Sequence, residues 1–192
     1  MQPTNLALMV FTGVIGAAVL FMGMSIYNGL VELRNQADRS WANIDVILKQ
    51  RHDEIPNLVS VCEQFAGFER SLLDRLMKAR ARYGQASTTP QKVVAASEVG
   101  GALQSIFALS EAYPQLKSSE HFLQFQSRIS QLENHIADRR EHFNETVTNF
   151  NTRIMQLPDV FVARFLGYTA LELYKVRDSE RIMPSVRMKI PA

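Results

Sequence analysis

Apolar positions along the chain fall into two regimes. The first is a continuous run, LALMVFTGVIGAAVLFMGMSI, over residues 6–26, and no charged side chain occurs before Glu32. A bilayer's hydrocarbon core is crossed by about 20 apolar residues rising ~1.5 Å each. The run therefore predicts a transmembrane helix over 6–26, preceded by a short segment, 1–5. Gly13, Gly16 and Gly23 are tolerated in such a helix. A cleaved signal peptide would carry a basic leader and a shorter apolar core, and the segment MQPTN before the run has no Lys or Arg.

The second regime is periodic. Tyr27, Leu30, Ala37, Trp41, Ile44, Leu48, Ile55, Leu58, Cys62, Phe65, Leu72, Leu76, Ala79 and Tyr83 keep an alternating spacing of three and four, interrupted by Arg34, Arg51 and Glu69. That spacing is a helical seam. Leu33, Ile47, Val59, Val61, Phe68 and Leu73 widen it beyond a two-stranded coiled coil, which suits a bundle. The register does not slip at Pro56, so the pattern predicts one helix from Tyr27 to Tyr83, kinked at the proline. Proline has no N–H, so the His52 carbonyl loses its helical donor and the ring pushes the axis over. Such a helix would extend about 85 Å if straight, far beyond the next one.

Gly84 can end that helix, and Thr89-Pro90 can start a second over about 91–113, with Pro114 ending it. Ser118 or Ser119 can cap a third. It carries Phe122, Phe125, Ile129, Leu132, Ile136, Phe143 and Phe150 on one stripe and closes at Leu157-Pro158. A shorter amphipathic piece covers about 160–174, and a polar tail follows. Nothing reads as a strand. The expected fold is all-α: a single N-terminal transmembrane helix (6–26), then an antiparallel helical bundle (27–174) with a long kinked first helix, then an extended tail (175–192).

Composition adds constraints. The chain has 192 residues with Lys+Arg 21 against Asp+Glu 19, too balanced for a nucleic-acid binder with a concentrated basic face. Basic residues flank the span only on its C-terminal side, at Arg34, Arg39, Lys49 and Arg51. The positive-inside rule then puts the N-terminus outside and the bundle in the cytoplasm. Cys62 is the single cysteine and lies in the apolar register, which reads as core packing.

The stretch RHDEIPNLV invites a search for chemistry. Successive helical residues point about 100° apart, so His52, Asp53 and Glu54 fan out and cannot converge on one metal. An exposed ladder, Asp45–Lys49–Asp53, accounts for Asp53. The residues three before His52, His121, His135 and His142 are Lys49, Ser118, Leu132 and Arg139, so the Glu-x-x-His of di-iron bundles is missing. HExxH, GxSxG, the P-loop and GxGxxG are absent too. The expectation is a protein that is not an enzyme, with no cofactor and no metal.

Charges inside the seams are the sharper anomaly: Arg34, Arg51, Glu69, Arg139 and Arg153. A buried unpaired charge costs several kcal/mol, about the scale of the charge's desolvation. Arg51 and Arg139 are therefore expected to pair with Glu69 or Glu133, either to set helix register or to line a polar ligand pocket. Arg34 lies near the headgroups of the expected membrane. Trp41, beyond the interfacial belt, reads as a packing anchor, and Tyr27 as the belt residue. Asn144 and Asn151 follow the heptad-spaced Phe143 and Phe150. They are either polar neighbours of core aromatics or hydrogen-bonding groups that fix register across an interface.

The segment YNGLVELRNQADRSWANIDVILKQRHDEIPNLV resembles the LemA family of bacterial membrane-anchored helical proteins. So do YPQLKSSEHFLQFQ, the stretch from Glu133 to Asn151 and the final Pro-x-Val, over about residues 27–186. The resemblance implies one span and an antiparallel bundle, without a settled activity. Two positions depart from it. The family usually has an apolar residue at Glu54, and often Tyr-Asn where this chain has Phe143-Asn144 and Phe150-Asn151. The expected function is a scaffold or assembly protein at the bacterial inner membrane. It would meet lipids through its span and act on further copies or other membrane proteins. The alternative is a lipid- or small-molecule-sensing bundle with a polar pocket in its core.

Overall fold

The computed structural model describes residues 3–65 and 68–175, with side chains from residue 9 onward. Six helices follow one another: α1 (Pro3–Glu63), α2 (Arg70–Gln85), α3 (Thr89–Ser110), α4 (Pro114–Lys117), α5 (Glu120–Arg153) and α6 (Asp159–Phe165). No strand occurs among the described residues, and the all-α expectation holds. The tail expected over 175–192 lies outside the described residues, apart from Lys175. The described chain divides into two compact units. Unit 1 contains α1 up to Asn43 with Glu141–Leu173, and unit 2 contains Ile44–Arg140 with Tyr174 and Lys175.

Within unit 1, α1 leaves its apolar run exposed from Met9 to Met24. Burial begins at Ile26 and Leu30, which share a core with Phe150, Ile154 and Ala163. Trp41 packs on Phe143 with ring centroids 5.8 Å apart, and the Arg34 guanidinium lies 6.0 Å from the Phe150 ring centre. Rising numbers on α1 meet falling numbers on α5, so the two are antiparallel here. Arg153 Nε donates to Asp159 Oδ2 at 2.6 Å. Its guanidinium lies flat on Gly29, where an added Cβ would come within 2.6 Å of Nη2. Helix α5 stops at Arg153 rather than Leu157, and α6 at Phe165 rather than near Tyr174. Gly167, at φ 69°, ends α6 in the left-handed region that favours glycine. The chain then runs extended, pinned by Asn151, whose Nδ2 donates to the Leu171 carbonyl (2.9 Å) and whose Oδ1 accepts from the Leu171 N–H (2.8 Å).

Within unit 2, α1 does not continue to Tyr83. It ends at Glu63, and α2 begins at Arg70. The last turn tightens through Gln64 N–H to Val61 O and Phe65 N–H to Cys62 O. The sequence expectation failed because both arms of the hairpin face one core. Leu58 and Cys62 on α1 and Leu76 and Ala79 on α2 are buried in the same cluster, and Cys62 and Leu76 stand two heptads apart, so the three–four count runs on across the turn. Glu69 leaves the seam with this correction. It is exposed at the N-cap position of α2, where its carboxylate accepts from Ser71 Oγ at 2.7 Å, and a negative charge suits a helix N-terminus.

Helix α3 is capped by Thr88, one residue earlier than expected. Gln91 N–H donates to Thr88 Oγ1 and Thr88 N–H to Gln91 Oε1, a reciprocal capping box, with Pro90 in the first turn. Although α3 is long and apolar enough to cross a membrane, it buries Val99, Ala102, Leu103 and Ile106 in the unit 2 core. Pro114 opens the short α4 as well as excluding continuation of α3. On α1, Asp45 turns from Lys49 toward other helices. It accepts from Lys92 Nζ at 2.7 Å and from Tyr83 Oη at 2.9 Å, so the expected Asp45–Lys49–Asp53 ladder does not form. Burial and the Asp45 hydrogen bond push the Tyr83 phenol upward.

Pro56 lies inside α1, and the carbonyl it deprives has a substitute donor: Arg80 Nε, from α2, reaches His52 O at 3.1 Å. This coupling is testable by urea unfolding. Arg80→Met should cost about 1–2 kcal/mol, the scale of a buried carbonyl left unpaired. In a Pro56→Ala background, where residue 56 again has an N–H, the same substitution should cost markedly less. Equal costs in both backgrounds would show that Arg80 does not replace the missing donor.

Candidate functional site

Arg51 is the most deeply buried charged side chain among the described residues, at 4% exposure. It arises from α1 at a seam position where Leu48 and Ile55 on either side are buried in the core. The guanidinium is held from two sides. Nη2 donates to the Ala96 carbonyl of α3 at 2.7 Å, and Nη1 donates to Glu133 Oε1 of α5. Glu133 is 41% exposed, so the pair has one dry and one wet end. Three residues further along α1 and five residues back along α5, Glu54 lies 3.7 Å from Arg128. The antiparallel register of α1 and α5 in unit 2 is thus marked by two ion pairs.

Beside Arg51 opens a cavity of about 390 Å³, lined by α3, α5 and Tyr174. Leu103, Phe107, Ile129 and Ile136 give it an apolar wall, and Arg51, Glu133 and Arg140 a charged edge of net formal charge +1. Arg140 stacks on Tyr174, its guanidinium carbon 5.9 Å from the ring centre. Gly100 also lines the space. A larger cleft of about 700 Å³ lies along α2 and α3, but its Asp74, Arg75 and Lys78 are solvent-exposed surface charges of mixed sign. The Arg51 cavity is the one that joins a buried charge to an apolar wall.

The sequence-predicted residues do not all gather here. Arg51 and Glu133 do. Arg139 does not: it is exposed, and Arg140 takes the inward position. Ile136 and Phe143 stay on the three–four count and are buried; on a helix of about 3.6 residues per turn the line between them passes between 139 and 140, and the cavity takes Arg140. Glu69 is at the α2 N-terminus, outside the cavity. Arg34, Trp41, Asn144 and Asn151 belong to unit 1. Arg34 combines its Phe150 contact with an ion pair to Asp38 at 3.4 Å, and Asn151 holds the extended segment at Leu171. Pro56 lies near the cavity in sequence but acts on His52. Sequence reasoning missed Ala96, Arg140 and Tyr174, and a backbone carbonyl such as that of Ala96 leaves no signal in the sequence.

Cys62 is fully buried, and burial followed by the Glu63 charge pushes its thiol up to about 12, which keeps it protonated at neutral pH. Among the described residues no group of three or more His, Cys, Asp and Glu could hold a metal ion.

Comparison with known proteins sets this geometry in context. The model of the LemA family matches residues 40–188. The chain belongs to the LemA family. It is similar to the magnetosome protein MamQ of Magnetospirillum gryphiswaldense, 23% identical over 189 residues, covering 83% of this chain and 70% of that protein. Magnetosome protein MamQ 2 of Paramagnetospirillum magneticum is 23% identical over 195 residues, covering 88% of this chain and 72% of that one. Protein LemA of Metamycoplasma hominis is 24% identical over 159 residues, covering 81% and 71%. The LemA match contains Trp41, Arg51, Pro56, Glu133 and Arg140, while Arg34 and the apolar run precede it. Glu54, where the resemblance implies an apolar residue, is paired with Arg128.

The wet and dry ends of the central pair make opposite predictions. Glu133→Ala should destabilise by about 3 kcal/mol, because it strands a buried cation. Arg51→Met should cost less, about 1–2 kcal/mol, because Glu133 can turn to water and the main loss is the Ala96 hydrogen bond. Thermal unfolding of the two variants in detergent gives the order, and the reverse order would show that Arg51 is not the constrained partner.

Proposed function

We propose that this LemA-family chain is a membrane-anchored helical scaffold, fixed by its N-terminal segment and acting through protein–protein contacts or self-association at the bacterial inner membrane. The observation that carries the reading is within unit 1. The same helix that leaves Phe11, Val14, Leu20 and Phe21 exposed goes on, from Ile26, to build a packed core with α5 and α6. Exposed apolar side chains over that length suit lipid rather than water. The basic residues after the run favour a cytoplasmic bundle and an external N-terminus. The names of the MamQ relatives tie them to magnetosomes, which is compatible with a role in organising membranes. Helix α2 folds back and buries seam positions such as Leu76 and Ala79 in the unit 2 core, so the scaffold does not rest on a long unpaired first helix.

Membrane anchoring predicts that the protein stays in the pellet after alkaline carbonate and that, once residues 1–25 are removed, the same carbonate wash releases it. Assembly predicts a detergent-solubilised mass above one copy at micromolar concentration, or a partner cross-linked in native membranes. A strict monomer that cross-links to nothing would sink the scaffold. Reporter fusions at both ends test orientation.

A second reading, a bundle that senses a small molecule or lipid, is favoured by one observation: the Arg51 cavity joins a +1 edge to an apolar wall. That chemistry fits an amphipathic anion such as a medium-chain carboxylate. Octanoate should then raise the melting temperature of the intact protein, and Arg140→Ala should abolish the shift. No shift at millimolar octanoate would remove this reading.

A further inference from the structure

Unit 1 carries an apolar surface that its own core does not use. On α6, Ala163 is 1% exposed and packs into the cluster with Ile26 and Leu30. On the opposite face, Phe161 is 68% and Phe165 91% exposed, and just before the helix Met155 and Leu157 are exposed as well. Phe161 and Phe165 are one helical turn apart and so project together. Arg164 stands exposed between them.

The position of this surface along α1 decides what covers it. Ile26 is the last residue of the uncharged apolar run, and Leu30 lies four residues on, about 6 Å along the axis. A bilayer with its headgroups is about 40–45 Å thick around a core of about 30 Å, which leaves roughly 5–8 Å of headgroup layer on each side. Because α6 packs on Ile26 and Leu30, it lies at the depth of that layer when the run spans the core. Two contacts hold it there: the Arg153–Asp159 pair at the start of α6 and the seating of Arg153 on Gly29. Tyr27, exposed at the same level, has the character of an interfacial belt residue.

We propose that residues 155–165 form a second membrane contact, a short interfacial collar that sinks Phe161 and Phe165, with Met155 and Leu157, into the headgroup–acyl boundary beside the span. Aromatic and aliphatic side chains are at home in that boundary, and Arg164 is placed to meet anionic headgroups. The collar rests on the reading of 6–26 as a transmembrane helix. Its consequence is that the membrane holds unit 1 at two places, so that rotation of α1 about its own axis is restricted.

The test uses the full chain in vesicles of phosphatidylcholine and phosphatidylglycerol, in a Trp41→Phe background. One reporter is Phe165→Trp and the reference, inside the run, is Phe21→Trp. Lipids brominated near the headgroup should quench the Phe165→Trp emission severalfold more strongly than lipids brominated near the chain ends, and acrylamide should quench it weakly. Strong acrylamide quenching without lipid quenching would overturn the collar while the Phe21→Trp reference still reports a spanning helix. Shielding from both quenchers would overturn it too, because protein, such as a second copy, then covers the surface. Failure of bromolipids to reach the Phe21→Trp reference would overturn the spanning helix and the collar with it. A nitroxide on Phe161→Cys in a Cys62→Ala chain, read by oxygen against an aqueous nickel chelate, repeats the measurement without altering Trp41. It should be reached by oxygen, and preferential access by the chelate would reject the collar.

Discussion

Unit 2 is organised around one dry guanidinium. An arginine at 4% exposure is tolerable only if its hydrogens are spoken for, since an isolated buried ion is expelled or neutralised and arginine does not deprotonate. Its partners come from different helices, a backbone carbonyl of α3 and a carboxylate of α5. Satisfying Arg51 therefore requires α1, α3 and α5 to meet in one register. Leucine at this position would pack equally well after a slip along the seam, whereas the guanidinium has one arrangement that meets its partners. The ion pair adds little net stability by comparison with a well-packed apolar residue, and its contribution is to the uniqueness of the arrangement.

The same logic explains how a proline is accommodated inside α1. Pro56 removes a donor from a helix that must stay continuous to present Ile55, Leu58 and Cys62 to the core. Arg80 supplies the donor from α2. Its charge has a second effect: after burial itself, it is the largest influence lowering the affinity of His52 for a proton. Below Pro56, the His52 ring packs against Tyr83 at 5.5 Å between centroids, and Gly84 lies close enough to His52 that a Cβ there would touch it at 3.6 Å. The stretch that resembles a catalytic triplet in the sequence is thus a helix–helix joint: His52 faces α2, Glu54 faces Arg128 on α5, and Asp53 faces water.

Much of this was legible in the sequence because the signals were chemical rather than periodic. Charge-free length identified the apolar run, Pro56 identified the orphaned carbonyl, and a charge in an apolar seam singled out Arg51 and named Glu133 as a candidate partner. Periodicity was the weaker guide. It joined α1 to α2 because residues on both arms of the hairpin serve one core, and between Ile136 and Phe143 it could not tell Arg139 from Arg140, of which the second turns inward. It also could not see partners supplied by backbone, such as the Ala96 carbonyl, nor the distant Lys92 that draws Asp45 from its own helix. Those depend on which helices become neighbours, and one chain's spacing does not encode that.

Unit 1 shows why repetition alone would be ambiguous. Trp41 and Arg34 are seven residues apart on α1, and their ring partners, Phe143 and Phe150, are seven apart on α5. A slip of one heptad would still offer Trp41 an aromatic ring, so aromatic packing by itself leaves the register nearly degenerate. The degeneracy is broken by groups without a heptad copy. Gly29 is the glycine that admits the Arg153 guanidinium, and a slip would set that guanidinium against a residue with a Cβ. Asp159 is within reach of Arg153 because the chain turns after α5, and Asn151 holds both polar atoms of the Leu171 backbone. The heptad repeat provides the affinity between the helices, and these non-repeating contacts select one of the alignments that the repeat permits.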